Sequence, residues 1–315
     1  MTKIALIGPE DREELQRLAL RLEERDAEPV FVDTRRDARI RIEPGVEEAC
    51  GVSFEGVTGV YVAALGLPDP RVVDESKVID VEASRAALAH SQATWAAWRV
   101  LLERLARRMP VANPPASYPV HGLKPFEIAT YLENGWRAPT TVSTDDPRAL
   151  LDVDASRAPR GRVRKDLVGG YGYTEVFTPP TEVAVAREVL ADSAVMVQER
   201  IEGDAVRAFV VGGRVVVAAE SLPQTFGEVD SRRGTVRVKR IELPGEIAEL
   251  SKAVAAHWDM SFAGVDWMRA NAGRDWVLLE CNSSPFFVEL ERRTGADIGG
   301  AIADMLLRRA RRVKK

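Results

Sequence analysis

The chain has 315 residues, 45 % of them hydrophobic and 29 % charged, and a formal net charge of −4. That length divides into two or three domains with sizeable cores, and the slightly acidic balance excludes a general nucleic-acid binder. The two cysteines, Cys50 and Cys281, fit neither a disulfide framework nor a zinc site and point to a reducing compartment.

The N-terminus reaches charge at Glu10 and Asp11, too soon for a signal peptide. No apolar run approaches membrane-spanning length, so a soluble cytoplasmic protein without membrane partners is expected. Residues 3–7 form a strand that ends at Gly8. Glu10 or Asp11 opens a helix to about Glu24, with Leu15, Leu18, Leu20 and Leu22 as its apolar stripe. Strands follow at 29–32 and 59–62, and this strand–helix–strand start predicts an α/β domain with a parallel sheet. Over 81–108, Trp95, Trp98, Leu102 and Leu105 recur at helical spacing and are expected to face a core.

Met109-Pro110-Val111-Ala112-Asn113-Pro114-Pro115 is the clearest break in the chain. Lys124-Pro125-Phe126-Glu127 then opens a helix that closes at Asn134-Gly135. A strand at 139–143 and a turn at 144–147 follow. The strand Arg162-Val163-Arg164-Lys165-Asp166 leads into the loop Gly169-Gly170-Tyr171-Gly172-Tyr173. Backbone amides in such a loop can approach phosphate oxygens closely. Residues 206–219 form a hairpin about Gly212-Gly213. Its register is expected to set Arg207 opposite Ala218, pointing away from the core residues Val206, Ala208 and Val210.

A basic segment runs from Asp230-Ser231-Arg232-Arg233 to Arg240, and a helix from Pro244 to His257. Two apolar arms, 264–268 and 276–282, then flank a loop containing Asn271 and Gly273. Folded as a hairpin, they set Asp266 opposite Glu280 and Gly264 opposite Asn282. Asp266, Glu280 and Asn282 project from one face, and Val265, Trp267, Leu279 and Cys281 from the other, core face. Facing carboxylates repel unless a cation lies between them. Two carboxylates and an amide oxygen are hard ligands suited to Mg²⁺ shared with phosphates. Residues 289–307 form one helix, followed by a basic tail favourable to its dipole. His90, His121 and His257 show no ligand spacing.

The order of these features resembles the ATP-grasp superfamily, and within it the ribosomal-protein glutamate ligase (RimK) branch. Leu279-Glu280-Cys281-Asn282-Ser283-Ser284-Pro285 and Glu291-Arg292-Arg293-Thr294-Gly295-Ala296-Asp297-Ile298 carry the likeness most strongly. The resemblance implies an ATP-grasp fold of α/β type with an N-terminal pre-ATP-grasp domain. Its divisions would be 1–112, a central subdomain with a glycine-rich lid at 113–197, and a C-terminal subdomain at 198–315. It implies that Lys124, Lys165 and the loop Gly169, Gly170 and Gly172 meet the phosphates of ATP. Gln198, Glu199 and the backbone to Ile201 would line the adenine pocket, with Asp204 near the ribose. Asp266, Glu280 and Asn282 would hold Mg²⁺, Arg207 would face the transferring phosphoryl group, and Arg232 the reacting carboxylate. Two departures stand out. Ala205 occupies a position where the family often has an acid, and Phe286-Phe287 follow Pro285 where it often has a glycine.

The implied activity is an ATP-dependent carboxylate–amine ligase that forms an amide through an acyl phosphate, on an amino acid, peptide or protein substrate. A narrower alternative is a peptide macrocyclase of the graspetide (microviridin) kind. The helix with Trp95 and Trp98, the Asp230-Ser231-Arg232 segment and residues 291–295 are similar to that group. A non-catalytic ATP-binding module is the alternative of another class. The N-terminal domain and the tryptophan helix are the candidate surfaces for a homo-oligomer.

Overall fold

The computed structural model describes residues 1–35, 38–65, 81–117, 123–151, 160–167, 174–190, 194–223 and 236–313. The chain begins with β1 (Thr2–Gly8), α1 (Glu13–Glu23) and β2 (Ala27–Asp33). β1 lies parallel to β2 on one side and to β6 (Val57–Val62) on the other; β7 (Val111–Ala112) extends the sheet in the order β2-β1-β6-β7. The expected parallel α/β start is therefore present. A small antiparallel sheet, β3 (Ile40–Glu43), β4 (Val46–Ala49) and β5 (Val52–Ser53), is inserted between β2 and β6.

On α1 the buried face is Leu15, Leu18, Ala19 and Leu22. Leu20 is 53 % exposed, which corrects the expected stripe; it falls outside the i, i+3, i+4, i+7 series that starts at Leu15. The long helix α2 (Val81–Ala106) buries Trp98, Leu101, Leu102 and Leu105, but Trp95 lies one turn too early to reach the core and is exposed.

Helix α3 (Lys124–Glu133) precedes β8 (Thr141–Thr144) and the short helix α4 (Pro147–Leu151). Next come β9 (Arg162–Asp166), β10 (Glu175–Phe177), α5 (Val183–Val189) and β11 (Val195–Glu199). Their strands form a four-stranded sheet in the order β10-β9-β11-β8. Val195 and Val197 pack with Leu150, Phe177 and Ala186 on its helix side.

The last sheet is antiparallel and takes the order β14-β13-β12-β15-β16. Its strands are β12 (Gly203–Val211), β13 (Arg214–Pro223), β14 (Val236–Ile241), β15 (Phe262–Ala270) and β16 (Asp275–Asn282). Gly212 and Gly213 turn the β12–β13 hairpin at φ 57° and 77°, a conformation glycine adopts without strain. A bulge after Phe209 shifts the register, so Arg207 faces Ala219 and not the expected Ala218. One face of this sheet buries Val206, Ala208, Val265, Trp267 and Cys281 beneath α3 and α6 (Gly245–His257). The other face buries Phe209, Val211 and Val217 with Phe287, Ile302 and Leu306, and with Leu15, Leu18 and Leu22 of α1. The beginning and end of the chain thus share one core.

The C-terminal segment is two helices, α7 (Val288–Thr294) and α8 (Ile298–Val313), where one was expected. Gly295 at φ 69° caps the first in the left-handed conformation and breaks the run. Among the described residues, no helix is long and apolar enough to cross a membrane.

Candidate active site

Strand pairing builds the site. Arg207 faces Asp266 across β12–β15, and Asp266 faces Glu280 across β15–β16. Directly opposed residues share a face, so the three side chains form one row. Gly264 faces Asn282 in the next row. A bulge follows Asp266, so that Trp267 pairs with Leu278 and Leu279 is the extra residue. Leu278 consequently takes the fully buried core position assigned in sequence to Leu279, which is half-buried.

The row is hydrogen-bonded throughout. Arg207 Nε lies 2.5 Å from Asp266 Oδ1, and the second guanidinium nitrogen Nη2 lies 2.6 Å from Oδ2. Asn282 Nδ2 donates to Asp266 Oδ2 and to Glu280 Oε1, both at 3.0 Å. Gly264 leaves the room this requires: a Cβ there would come within 2.8 Å of Pro285 Cβ and 3.4 Å of Arg207 Cδ.

Two lysines complete the charge set. Lys124, at the first turn of α3, places Nζ 3.5 Å from Glu280 Oε2. Pro125 follows it, where its missing N–H costs the helix nothing. Lys165 on β9 acts on Glu280 from the other sheet. Burial opposes ionisation of Glu280, yet Lys124, Lys165, the Asn282 amide and Arg207 together hold its pKa well below the usual carboxylate range. Burial pushes Asp266 up to about 6, against the pull of Arg207 and with the help of Glu280. Three cations thus confront two carboxylates, an excess of positive charge suited to a polyanion.

Other expected site residues divide by face. Gln198 pairs with Val163 and Thr141, on the same face as Lys165 and Met196, and its amide donates to Thr141 Oγ1 at 3.0 Å. Ile201 lies half-buried in the connection from β11 to β12, where one sheet passes into the next. Glu199 lies on the other face from Gln198: its carboxylate shares that face with Arg162 and Phe177, on the helix side, and accepts from Thr140 N at 3.4 Å. Asp204 also lies apart from the row. Its even position on β12 sends it to the face opposite Arg207, where Arg269 Nη2 binds it at 2.8 Å and also binds Glu220. Gly169, Gly170, Gly172 and Arg232 lie outside the described residues. Of the two phenylalanines, Phe287 is core, whereas Phe286 is exposed with the Arg12 guanidinium 4.5 Å from its ring centroid.

Residues 160–306 match the RimK-like ATP-grasp domain. The whole fold aligns with the ATP-grasp ligase PsnB in complex with a minimal precursor. The TM-score is 0.80 and the identity 26 %, over 98 % of this chain and 100 % of that one. The chain belongs to the ATP-grasp superfamily. A second PsnB structure, with a phosphomimetic variant of the minimal precursor, Mg and ADP, aligns at a TM-score of 0.78 and 25 % identity over 98 % and 99 % of the two chains. The macrocyclase MdnC of Microcystis aeruginosa shares the fold at a TM-score of 0.77 and 18 % identity, over 98 % of this chain and 100 % of MdnC. Among curated proteins, a probable alpha-L-glutamate ligase of Shewanella baltica is 35 % identical over 126 residues, 38 % of this chain and 40 % of that protein. Another, of Aliivibrio salmonicida, is 34 % identical over 176 residues, 53 % and 56 % of the two. The chain spans about half the length of the curated relatives it matches.

The donor set of this ATP-grasp site fits a hard divalent cation. Among the described residues no cluster of three His, Cys, Asp or Glu side chains could hold a metal, which leaves the two carboxylates and Asn282. The Asn282 amide turns its nitrogen toward both acids; a half-rotation of the amide would present its oxygen instead.

Sequence reasoning missed Glu127 and Tyr131. Glu127 is 2 % exposed, and its carboxylate accepts from the Tyr131 hydroxyl and from the backbone N–H of Cys281 at 2.5 Å. Burial raises its pKa to about 8, and Glu280 adds to the rise. An acid one turn after Lys124 was the available sequence signal, with no indication of its burial or of its partner.

Proposed function

We propose that the protein is an ATP-dependent carboxylate–amine ligase whose substrate is a precursor peptide, joined through its own side chains. The observation that carries this reading is the row Arg207–Asp266–Glu280, with Asn282 hydrogen-bonded to both acids from the next row, facing Lys124 and Lys165. Such a set neutralises a metal–triphosphate. The end-to-end match to PsnB, solved with its precursor, favours a peptide substrate. The likeness to probable glutamate ligases favours addition of an amino acid instead, and it reaches only part of either chain.

In this reading Asp266, Glu280 and Asn282 hold Mg²⁺, which when bound supplies charge neutralisation at the phosphates. Lys124 and Lys165 bind phosphate oxygens. Gln198 and the backbone to Ile201 hold the adenine at the junction of the two sheets. Arg207 orients the γ-phosphoryl group and steadies the charge it develops during transfer. Gly169, Gly170 and Gly172 are assigned to the phosphates and Arg232 to the substrate carboxylate. That carboxylate attacks the γ-phosphorus; the bond to the β-phosphate oxygen breaks and ADP leaves. An amine then attacks the acyl phosphate carbon, phosphate departs, and an amide remains. Excluding water protects the acyl phosphate. In this scheme the chain divides into 1–112, 113–197 and 198–315, and the nucleotide would lie between the second and third parts.

The test is incubation with ATP, Mg²⁺ and acid-rich precursor peptides, with ADP release and peptide mass followed together. A modified peptide lighter by one water per bond, with one ADP per bond, supports the proposal. A mass gain equal to an added amino acid residue supports the glutamate-ligase reading. Nucleotide binding with no turnover on any acceptor leaves only a binding module.

A further inference from the structure

β16 is the edge strand of its sheet, so the backbone N–H groups on its outer side need partners from elsewhere. The outward N–H of Leu278 is taken by Arg137 O. The outward N–H of Cys281 goes to a side chain, Glu127. Cys281 is flanked by Glu280 and Asn282, so Glu127 holds the stretch of backbone from which two of the three proposed metal ligands project. Glu127 also lies three residues after Lys124, on the same side of α3. Tyr131, a turn further on and fully buried, donates its hydroxyl to the same oxygen, Glu127 Oε1, and so fixes the carboxyl group from the helix side. A purely apolar contact would pack this helix against the strand equally well. A buried carboxyl group is costly without such partners.

We propose that Glu127 is a positioning residue for the metal–nucleotide site. It ties the helix that carries Lys124 to the backbone between Glu280 and Asn282, and so fixes the distance between the phosphate-binding cation and the metal-binding oxygens. This rests on the functional reading above. Groups that orient metal ligands commonly govern metal affinity by about ten- to a hundredfold.

The test uses the full chain and a non-hydrolysable ATP analogue, titrated calorimetrically at a series of Mg²⁺ concentrations, with Mn²⁺ binding read by electron paramagnetic resonance. Glu127→Gln keeps the one oxygen that accepts from both the Cys281 N–H and the Tyr131 hydroxyl, and should retain the wild-type Mg²⁺ requirement. Glu127→Ala should raise the half-saturating Mg²⁺ concentration by about tenfold or more and broaden the Mn²⁺ spectrum. Tyr131→Phe keeps the Cys281 contact and should raise it by less than the alanine variant does, which preserves the test if the alanine variant does not fold. Folded Ala or Phe variants with the wild-type Mg²⁺ requirement would overturn the inference while leaving the ligase reading intact. A wild-type protein that takes up no metal–nucleotide would overturn both.

Discussion

Arg207 and Asp266 are joined by two parallel hydrogen bonds, 2.5 Å and 2.6 Å long, on the face of a sheet that also carries Glu280 and Asn282. The guanidinium is the cation nearest the acids, and its planar fork is matched to a carboxylate as it would be to a phosphoryl group. Replacing it with alanine should lower kcat by about a hundredfold or more while ATP binding changes little. Steady-state and binding measurements separate the two. A loss confined to nucleotide affinity would assign Arg207 to ground-state binding.

Gly264 lies where Pro285 and Arg207 crowd the backbone, with Pro285 Cβ only 2.8 Å from the place of an added Cβ. Gly264→Ala should displace the Asn282–Pro285 segment, cost about 1–3 kcal/mol of stability and depress turnover. Denaturant unfolding together with ADP release tests this. Wild-type stability and activity in the alanine variant would show that the segment yields freely.

Asn113 is buried between the N-terminal sheet and the last one. Its amide donates to Phe262 O and Ser283 O, and its carbonyl accepts from the N–H groups of Ser261 and Phe262. Ser283 directly follows Asn282, so this bridge supports the site from behind. Asn113→Ala leaves several buried backbone groups unpaired and should cost about 3–5 kcal/mol. A midpoint of denaturation within experimental scatter of the wild type would refute that role.

Glu127 gives a pH dependence whose sign is fixed. Burial raises its folded-state pKa from 4.5 to about 8. The folded state therefore holds a proton that the unfolded chain has released, and the associated stability is present below about pH 4.5 and lost as pH rises through about 8. Thermal melts of the apo protein should show wild type losing ground to Glu127→Gln across that interval. A stability gap constant with pH would mean that Glu127 is ionised throughout.

Much of this architecture was legible in the sequence, for local reasons. The strand period put Asp266, Glu280 and Asn282 on one face, and the paired glycines 212 and 213 marked a hairpin. What was not legible depends on register and distant contacts. The bulges after Phe209 and Asp266 moved Arg207 opposite Ala219 and exchanged Leu278 for Leu279. Sequence order alone did not assign faces to Glu199 and Asp204, which pair with Thr140 and Arg269 away from the lysines and Arg207. The strands at 40–43, 46–49 and 52–53 are too short to carry a periodic pattern. The bond from Glu127 to Cys281 spans 154 residues and exists only once α3 covers the edge strand.

The most direct measurement is calorimetric titration of the wild-type protein and Glu280→Ala with a non-hydrolysable ATP analogue, each with and without Mg²⁺. Removing Glu280 takes away a proposed metal ligand and the partner of Lys124 but no core contact. The account predicts Mg²⁺-dependent uptake by the wild type, and loss of that dependence in a variant whose circular dichroism is unchanged. No uptake by the wild type, or the same Mg²⁺ dependence in both proteins, would contradict it.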